Sequence, residues 1–160
     1  LMLTFVAALK KEGIELVDQT LLIRPLMPAA GTLTRRAPSE NERRDMAFGF
    51  RMAKEIGRLD VGQTAVVKGM AVMALEAIEG TDACIRRGGK LARGGAVVVK
   101  VAKPEQDRRF DVPAVGVTTV ESMIEAGATA LAIEAEHTLL VDRAQTIALA
   151  EAHDITIVAM

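Results

Sequence analysis

The chain has 160 residues, of which 50% are hydrophobic, with 20 basic and 21 acidic residues. This length and composition are sufficient for one hydrophobic core that needs no disulfide or metal to fold. The near-neutral charge and the lack of tyrosine and tryptophan argue against nucleic-acid binding, which relies on basic surfaces and often on aromatic stacking.

The first segment reads as an amphipathic helix with Leu3, Phe5, Val6 and Leu9 on one side. Its apolar run is too short to cross a bilayer, and positive charge follows it instead of preceding it as in a signal peptide. A strand is predicted at residues 14–17, and the Pro- and Gly-rich residues 26–38 are predicted to form a surface loop.

A long helix is predicted next, beginning at a capping box formed by Ser39 and Glu42 and ending near Gly57. Its apolar positions, which recur at helical spacing, are Met46, Phe50, Ala53 and Ile56. Its charged positions, predicted to form a solvated face, are Arg44, Arg51, Lys54, Glu55 and Arg58.

Residues 64–76 predict a β-hairpin that turns at Lys68 and Gly69. A turn at residues 79–82 then leads into a helix containing Cys84, which we expect to be a core residue, with Thr81 or a neighbour as its cap. Asp82 has two interpretations. It either complements the positive end of the helix dipole or contributes to a phosphate or metal pocket.

A buried strand is predicted at residues 95–99, and a dense polar run, residues 100–116, follows it directly. Ligands of α/β sheets bind just beyond the carboxyl ends of such strands. The lysines, arginines and aspartates of the run are suited to a phosphate substrate with a divalent metal, and its prolines stiffen the loop. The alternative is an exposed connection whose charges are only solvated.

In the last third of the chain, predicted helices and strands alternate. A capping box at Thr118 and Glu121 predicts a helix that ends at Gly127, followed by strands at residues 129–135 and 139–141. Asp142 with Gln145 predicts another helix, and residues 155–160 predict a final strand. The alternation, together with the hairpin, predicts an α/β fold with a mixed β-sheet packed by helices in a single domain.

The polar run carries an ordered pattern that resembles the signature of the LpxI family, the UDP-2,3-diacylglucosamine pyrophosphatases. The pattern is Lys100-x-x-Lys103-Pro104-x-Gln106-Asp107-x-Arg109-x-Asp111-x-Pro113-x-x-Gly116. Residues 55–63, 76–83 and 140–143 resemble other blocks of the family. Because several ordered blocks agree over nearly the whole chain, the resemblance is more specific than a lone motif.

The resemblance implies that residues 1–160 are the carboxy-terminal catalytic domain of such an enzyme, without the amino-terminal Rossmann-like domain of the family. The implied reaction is hydrolysis of the diphosphate bond of UDP-2,3-diacylglucosamine to UMP and lipid X in lipid A biosynthesis, with Mg²⁺ or a similar divalent cation. The implied location is the cytoplasm, with at most peripheral contact with the inner membrane. The implied partners are the missing domain and, as an open option, a second copy in a homodimer.

The resemblance also implies roles for individual residues. Asp111 occupies the position of the catalytic aspartate, as metal ligand or general base. The further residues are Lys100, Lys103 and Arg109 for phosphate, Gln106 and Asp107 for positioning, Asp107 also for metal, and Thr81 with Asp82 as a supporting wall. Two other classes remain open, a non-catalytic phosphoglycolipid or nucleotide-sugar binding module and a structural dimerisation domain.

Overall fold

The computed structural model describes residues 2–105, 107 and 111–160. The helices are α1 Met2–Lys11, α2 Thr20–Ile23, α3 Glu40–Arg58, α4 Thr81–Ala92, α5 Val117–Ala126 and α6 Arg143–Ala152, with a 3₁₀ turn at Arg24–Leu26. The strands are β1 Gly31–Thr32, β2 Thr64–Lys68, β3 Ala71–Leu75, β4 Val97–Lys100, β5 Ala114–Val115, β6 Ala130–Ile133, β7 Leu139–Leu140 and β8 Thr156–Ala159.

Six of these strands form one sheet in the order β1-β8-β6-β4-β2-β3. Strands β4, β6 and β8 run parallel, whereas β2, β3 and β1 are joined to the sheet by antiparallel pairing. The short strands β5 and β7 pair in parallel as a separate two-stranded sheet. The predicted α/β fold with a mixed sheet is therefore confirmed.

The central strands of the main sheet, β2, β4, β6 and β8, are buried on both faces, because they carry apolar side chains alternately to either side. One face, with Val97 and Val99 of β4, packs against Met46 and Ala53 of α3. The opposite face, with Val98, packs against helices α4, α5 and α6. In the part of the chain that the structure describes, no helix combines the length and apolar character needed to span a membrane.

Several predicted elements are confirmed where the signal lies within a few residues. Helix α3 begins at the predicted capping box, in which Ser39 Oγ accepts from Glu42 N (3.2 Å) and Glu42 Oε2 accepts from Ser39 N (2.8 Å). The predicted hairpin is β2 with β3. Cys84 is fully buried, and this burial raises the pKa of its thiol to about 12, so the side chain is an unreactive core residue.

Other predicted elements are wrong. Residues 14–17 do not form a strand, and Ile14 and Val17 remain 53% and 55% exposed in an irregular segment between α1 and α2. An alternating apolar pattern makes a strand only where a neighbouring strand pairs with it. The predicted loop at residues 26–38, in contrast, contains the short strand β1, which pairs with β8.

Two predicted helix caps differ. Helix α5 begins after Gly116, whose N–H donates to Thr119 Oγ1 (3.4 Å), so the predicted capping box at Thr118 is wrong. Asp142 is the N-cap residue of α6, with a φ of 46° and no side-chain cap bond. The cap of α4, predicted at Thr81 or a neighbour, is Gly80, and the hydroxyl of Thr81 donates to Glu76.

A buried ion pair ties the start of α3 to the sheet. The guanidinium of Arg36 donates to both carboxylate oxygens of Glu42 (2.9 and 3.1 Å) and to Thr129 O (2.6 Å). Burial alone raises the pKa of Glu42, but the hydrogen bonds from Arg36 and from Ser39 N outweigh it and lower the pKa from 4.5 to about 2.

The free energy of unfolding should therefore fall in acid because of Glu42. A carboxyl group with a lowered folded-state pKa stabilises the protein above its unfolded pKa, and this contribution is lost as the pH falls from 4.5 toward 2. Urea unfolding at pH 6 and pH 3 should show about 1–3 kcal/mol more acid loss for the wild type than for Glu42→Gln. The exposed control Glu40→Gln should behave like the wild type, and equal losses in all three proteins would contradict the assignment.

Candidate functional site

The polar run lies at the carboxyl ends of two adjacent parallel strands. Lys100 at the end of β4 is in register with Ile133 at the end of β6, and Glu134 follows β6 directly. The last turns of α3 reach the same edge, where Lys54 contacts Glu134. The predicted position of the site beyond β4 is thus where the structure brings charged groups together.

Two depressions at this edge share Lys103 and Asp111. The first, called here the Glu134 cavity, has a volume of about 130 Å³ and is also lined by Lys54, Ala102 and Glu134. The second, called the Asp107 hollow, has a volume of about 290 Å³. Its lining residues are Gly57, Arg58, Asp60, Lys103, Glu105, Asp107 and Asp111. Asp111 is exposed and borders both depressions, as a carboxylate that meets a substrate must.

Lys103 is placed by contact with the end of α3. Its Nζ donates to Asp60 Oδ1 (2.7 Å), and this hydrogen bond lowers the pKa of Asp60. Asp111 N donates to Asp107 O (3.1 Å), so the backbones of these two aspartates are in direct contact. The structure therefore brings Lys103, Asp107 and Asp111 together, as the sequence predicts.

Lys100 lies on the face of the sheet opposite α3. Its side chain is buried, with the residue only 8% exposed, and its Nζ donates to Ala114 O (2.9 Å). Burial lowers the pKa of Lys100, whereas the negative charges of Glu76, Asp82 and Asp111 oppose that change. Lys100 thus contributes a positive field near Asp111, while its hydrogen bond to Ala114 holds the chain at the start of β5.

Thr81 and Asp82 lie at the beginning of α4, on the side of Lys100. Thr81 Oγ1 donates to Glu76 Oε1 (3.0 Å), and Glu76 Oε2 accepts from Gln63 N (3.2 Å). Thr81 is therefore engaged within the protein, and Asp82 adds negative charge around Lys100. This arrangement is consistent with a supporting wall. Gln106 and Arg109, predicted to position the substrate and to bind phosphate, lie outside the described residues.

Asp107 and Asp111 are compatible with a Mg²⁺ site in which water and substrate supply the remaining ligands. Among residues 2–105, 107 and 111–160, no group of three His, Cys, Asp or Glu side chains forms a closed metal site. Mg²⁺ is commonly held by only one or two carboxylates, with water and substrate phosphates completing its shell. Asp107 and Asp111 border the same hollow and supply that number of carboxylates.

The sequence interpretation missed two residues of the site. Lys54 was assigned to the solvated face of α3, but its Nζ contacts both oxygens of Glu134 (2.7 and 2.6 Å). Glu134 was not singled out at all. Lys100 directly follows a predicted strand, whereas Glu134 lies inside the strand predicted at residues 129–135, and only the structure ends β6 at Ile133. The partner of Glu134 on α3 had no comparable signal, because the contact spans distant parts of the chain.

Most of the chain is similar to known proteins. Residues 29–158 match the family model described as the LpxI C-terminal domain. Over 150 residues the chain is 37% identical to the UDP-2,3-diacylglucosamine pyrophosphatase LpxI of Caulobacter vibrioides. The match covers 89% of this chain and 54% of that relative, so the chain spans about half of the relative's length. The matched range includes all the residues predicted to form the site.

Proposed function

Because the chain belongs to the LpxI family through its carboxy-terminal domain, we propose that it is the catalytic domain of an enzyme that hydrolyses UDP-2,3-diacylglucosamine. The products are UMP and lipid X, and the reaction belongs to lipid A biosynthesis in the cytoplasm. A substrate with a nucleotide, a diphosphate and two acyl chains exceeds the depressions of this domain. We therefore propose that an amino-terminal domain completes the binding site.

The placement of Asp111 carries this proposal. Its carboxylate borders both depressions beside Lys103, and it lies in the field of the buried Lys100. In the reaction one water is consumed, a bond from phosphorus to the bridging oxygen breaks, and a new phosphorus–oxygen bond forms. Asp111 either accepts the proton of the attacking water or holds the metal ion. Lys103 neutralises phosphate charge, and to do so its ammonium group exchanges its contact with Asp60 for a contact with phosphate.

Divalent metal is the second part of the proposal. Asp107 and Asp111 would hold Mg²⁺, which when bound neutralises charge on the diphosphate oxygens and lowers the pKa of attacking water. Chelation with EDTA should abolish turnover, and added Mg²⁺ should restore it. Asp107→Asn should raise the Mg²⁺ concentration needed for half-maximal rate by about tenfold, because one anionic ligand is lost. Full activity in EDTA would remove the metal from the mechanism.

The direct test uses the full natural polypeptide that carries this chain, supplied with Mg²⁺ and UDP-2,3-diacylglucosamine. We expect equal amounts of UMP and lipid X to be released. Recovery of intact substrate would contradict the enzyme assignment. If lipid X bound under those conditions without turnover of the substrate, the result would favour the alternative of a non-catalytic phosphoglycolipid-binding module.

A further inference from the structure

One residue of the site loop, Ala102, is held at both its backbone N–H and its backbone C=O by a single ion pair. Glu134 Oε2 accepts from Ala102 N (2.8 Å), and Lys54 Nζ donates to Ala102 O (2.9 Å). Lys54 and Glu134 also contact each other at 2.6 Å. This arrangement of Lys54, Glu134 and the backbone of Ala102 is called here the Ala102 clamp.

The clamp lies where the main sheet ends and the site loop begins. Ala102 comes just after β4 and directly before Lys103, so it is the point at which the loop departs from the sheet. Lys54 belongs to α3, and Glu134 follows β6. The clamp therefore joins the helix on one face, the neighbouring strand and the loop in one hydrogen-bonded unit.

The two charged side chains of the Ala102 clamp are largely buried. The side chains of Lys54 and Glu134 are 29% and 14% exposed, so each charge is largely removed from water. Such a pair is weak support for stability, because desolvation offsets much of the attraction, but the loss of one partner leaves a poorly solvated charge. The bonds to Ala102 add direction, because they fix the orientations of the two peptide groups that flank its Cα and not only the distance between two charges.

We propose that Lys54 and Glu134 are positioning residues for the hydrolytic reaction. They act through Ala102, where the two held peptide groups fix the path of the chain into Lys103 and so direct Lys103 toward the cavity that Asp111 also borders. This inference rests on the proposed function. It adds to that function Lys54 on α3 and Glu134 after β6, which support the reaction without contacting the substrate.

The test measures kcat, KM and backbone hydrogen exchange in the full natural polypeptide. Lys54→Met and Glu134→Ala should lower kcat by about ten- to a hundredfold, since small displacements of reacting groups have effects of this size. KM should change less than kcat, and exchange should rise at residues 101–105. Glu134→Gln, which retains an oxygen acceptor for Ala102 N, should keep more activity than Glu134→Ala and guards against a variant that fails to fold.

A charge-swapped double variant, Lys54→Glu with Glu134→Lys, separates the clamp from a simple ion pair. The swapped side chains can attract each other, but a glutamate cannot donate to Ala102 O and a lysine cannot accept from Ala102 N. We therefore expect kcat of the double variant to stay low. The control is Glu40→Gln, which removes an exposed ion pair with Arg44 at the other end of α3 and should leave kcat unchanged.

The outcomes separate this inference from the proposed function. If the wild type cleaves the substrate and both single variants remain within twofold of it, the function stands and the inference is overturned. Full activity of the charge-swapped variant would also overturn it, because the ion pair alone would then be sufficient. An inactive wild type would overturn the proposed function and this inference together.

Discussion

Replacing Asp111 by alanine should lower kcat for UDP-2,3-diacylglucosamine hydrolysis by about 10²- to 10⁴-fold, the range expected when a general base is removed. The carboxylate borders both depressions of the site, beside Lys103 and near the buried charge of Lys100. Among the described residues, Asp111 is the only carboxylate that borders both depressions. Steady-state release of UMP in excess Mg²⁺ measures the effect.

Fold stability should not account for this loss of activity. Asp111 is exposed, and substitutions of exposed residues usually change the free energy of unfolding by about 0.5 kcal/mol or less. Asp111→Asn, which keeps the shape and removes the charge, should be nearly as inactive as Asp111→Ala. The control Glu121→Gln alters an exposed carboxylate of α5 and should retain wild-type turnover.

The two roles of Asp111 predict different responses to metal. If Asp111 holds Mg²⁺, the asparagine variant should regain part of its rate at high Mg²⁺ concentration. If it is the general base, added Mg²⁺ should have no such effect, because the proton acceptor itself is missing. Turnover of Asp111→Ala equal to that of the wild type would exclude both roles and the mechanism built on them.

A large effect on stability is expected for Gly89→Ala. A Cβ at this position in α4 would lie 2.4 Å from Ala126 Cβ and 2.5 Å from Ala126 O in α5. These distances are far below van der Waals contact, and the backbone oxygen cannot rotate away as a long side chain can. Alanine favours helix over glycine by up to about 1 kcal/mol, but overpacking typically costs about 1–3 kcal/mol and occasionally more.

Urea unfolding of Gly89→Ala should therefore show a net loss of about 1–3 kcal/mol. The control Lys90→Ala changes the next, exposed residue of α4 and should leave the free energy of unfolding nearly unchanged. Because α4 begins at Thr81, separation of α4 from α5 should also disturb the wall near Lys100. A Gly89→Ala protein as stable as the wild type would show that the two helices are less closely packed than the structure has them.

The elements predicted well from the sequence have signals contained within a few neighbouring residues. The capping box of α3, the glycine turn between β2 and β3 and the continuous valine run of β4 are of this kind. The strand predicted at residues 14–17 failed because strands depend on partners. Its apolar residues lie in a segment that pairs with no strand in the described part of the chain.

Part of the candidate site was also accessible from the sequence. The charges following β4 pointed to Lys103, Asp107 and Asp111, and these residues do line a common hollow. Their family pattern agrees with the observed similarity to LpxI. Lys100, in contrast, lies on the face of the sheet opposite α3. The alternation of side chains along β4 could be read from the sequence, but the placement of the helices on the two faces required the structure.

The sequence by itself determined the α/β class, the family and the segment that bears the candidate site, because periodicity and ordered motifs are properties of contiguous residues. Only the tertiary structure decided which distant groups support that segment. Lys54 and Glu134 are 80 positions apart, and they meet at Ala102 because α3 crosses the sheet at the ends of β4 and β6. A contact of this kind depends on the packing of three elements, and no local pattern in the chain encodes it.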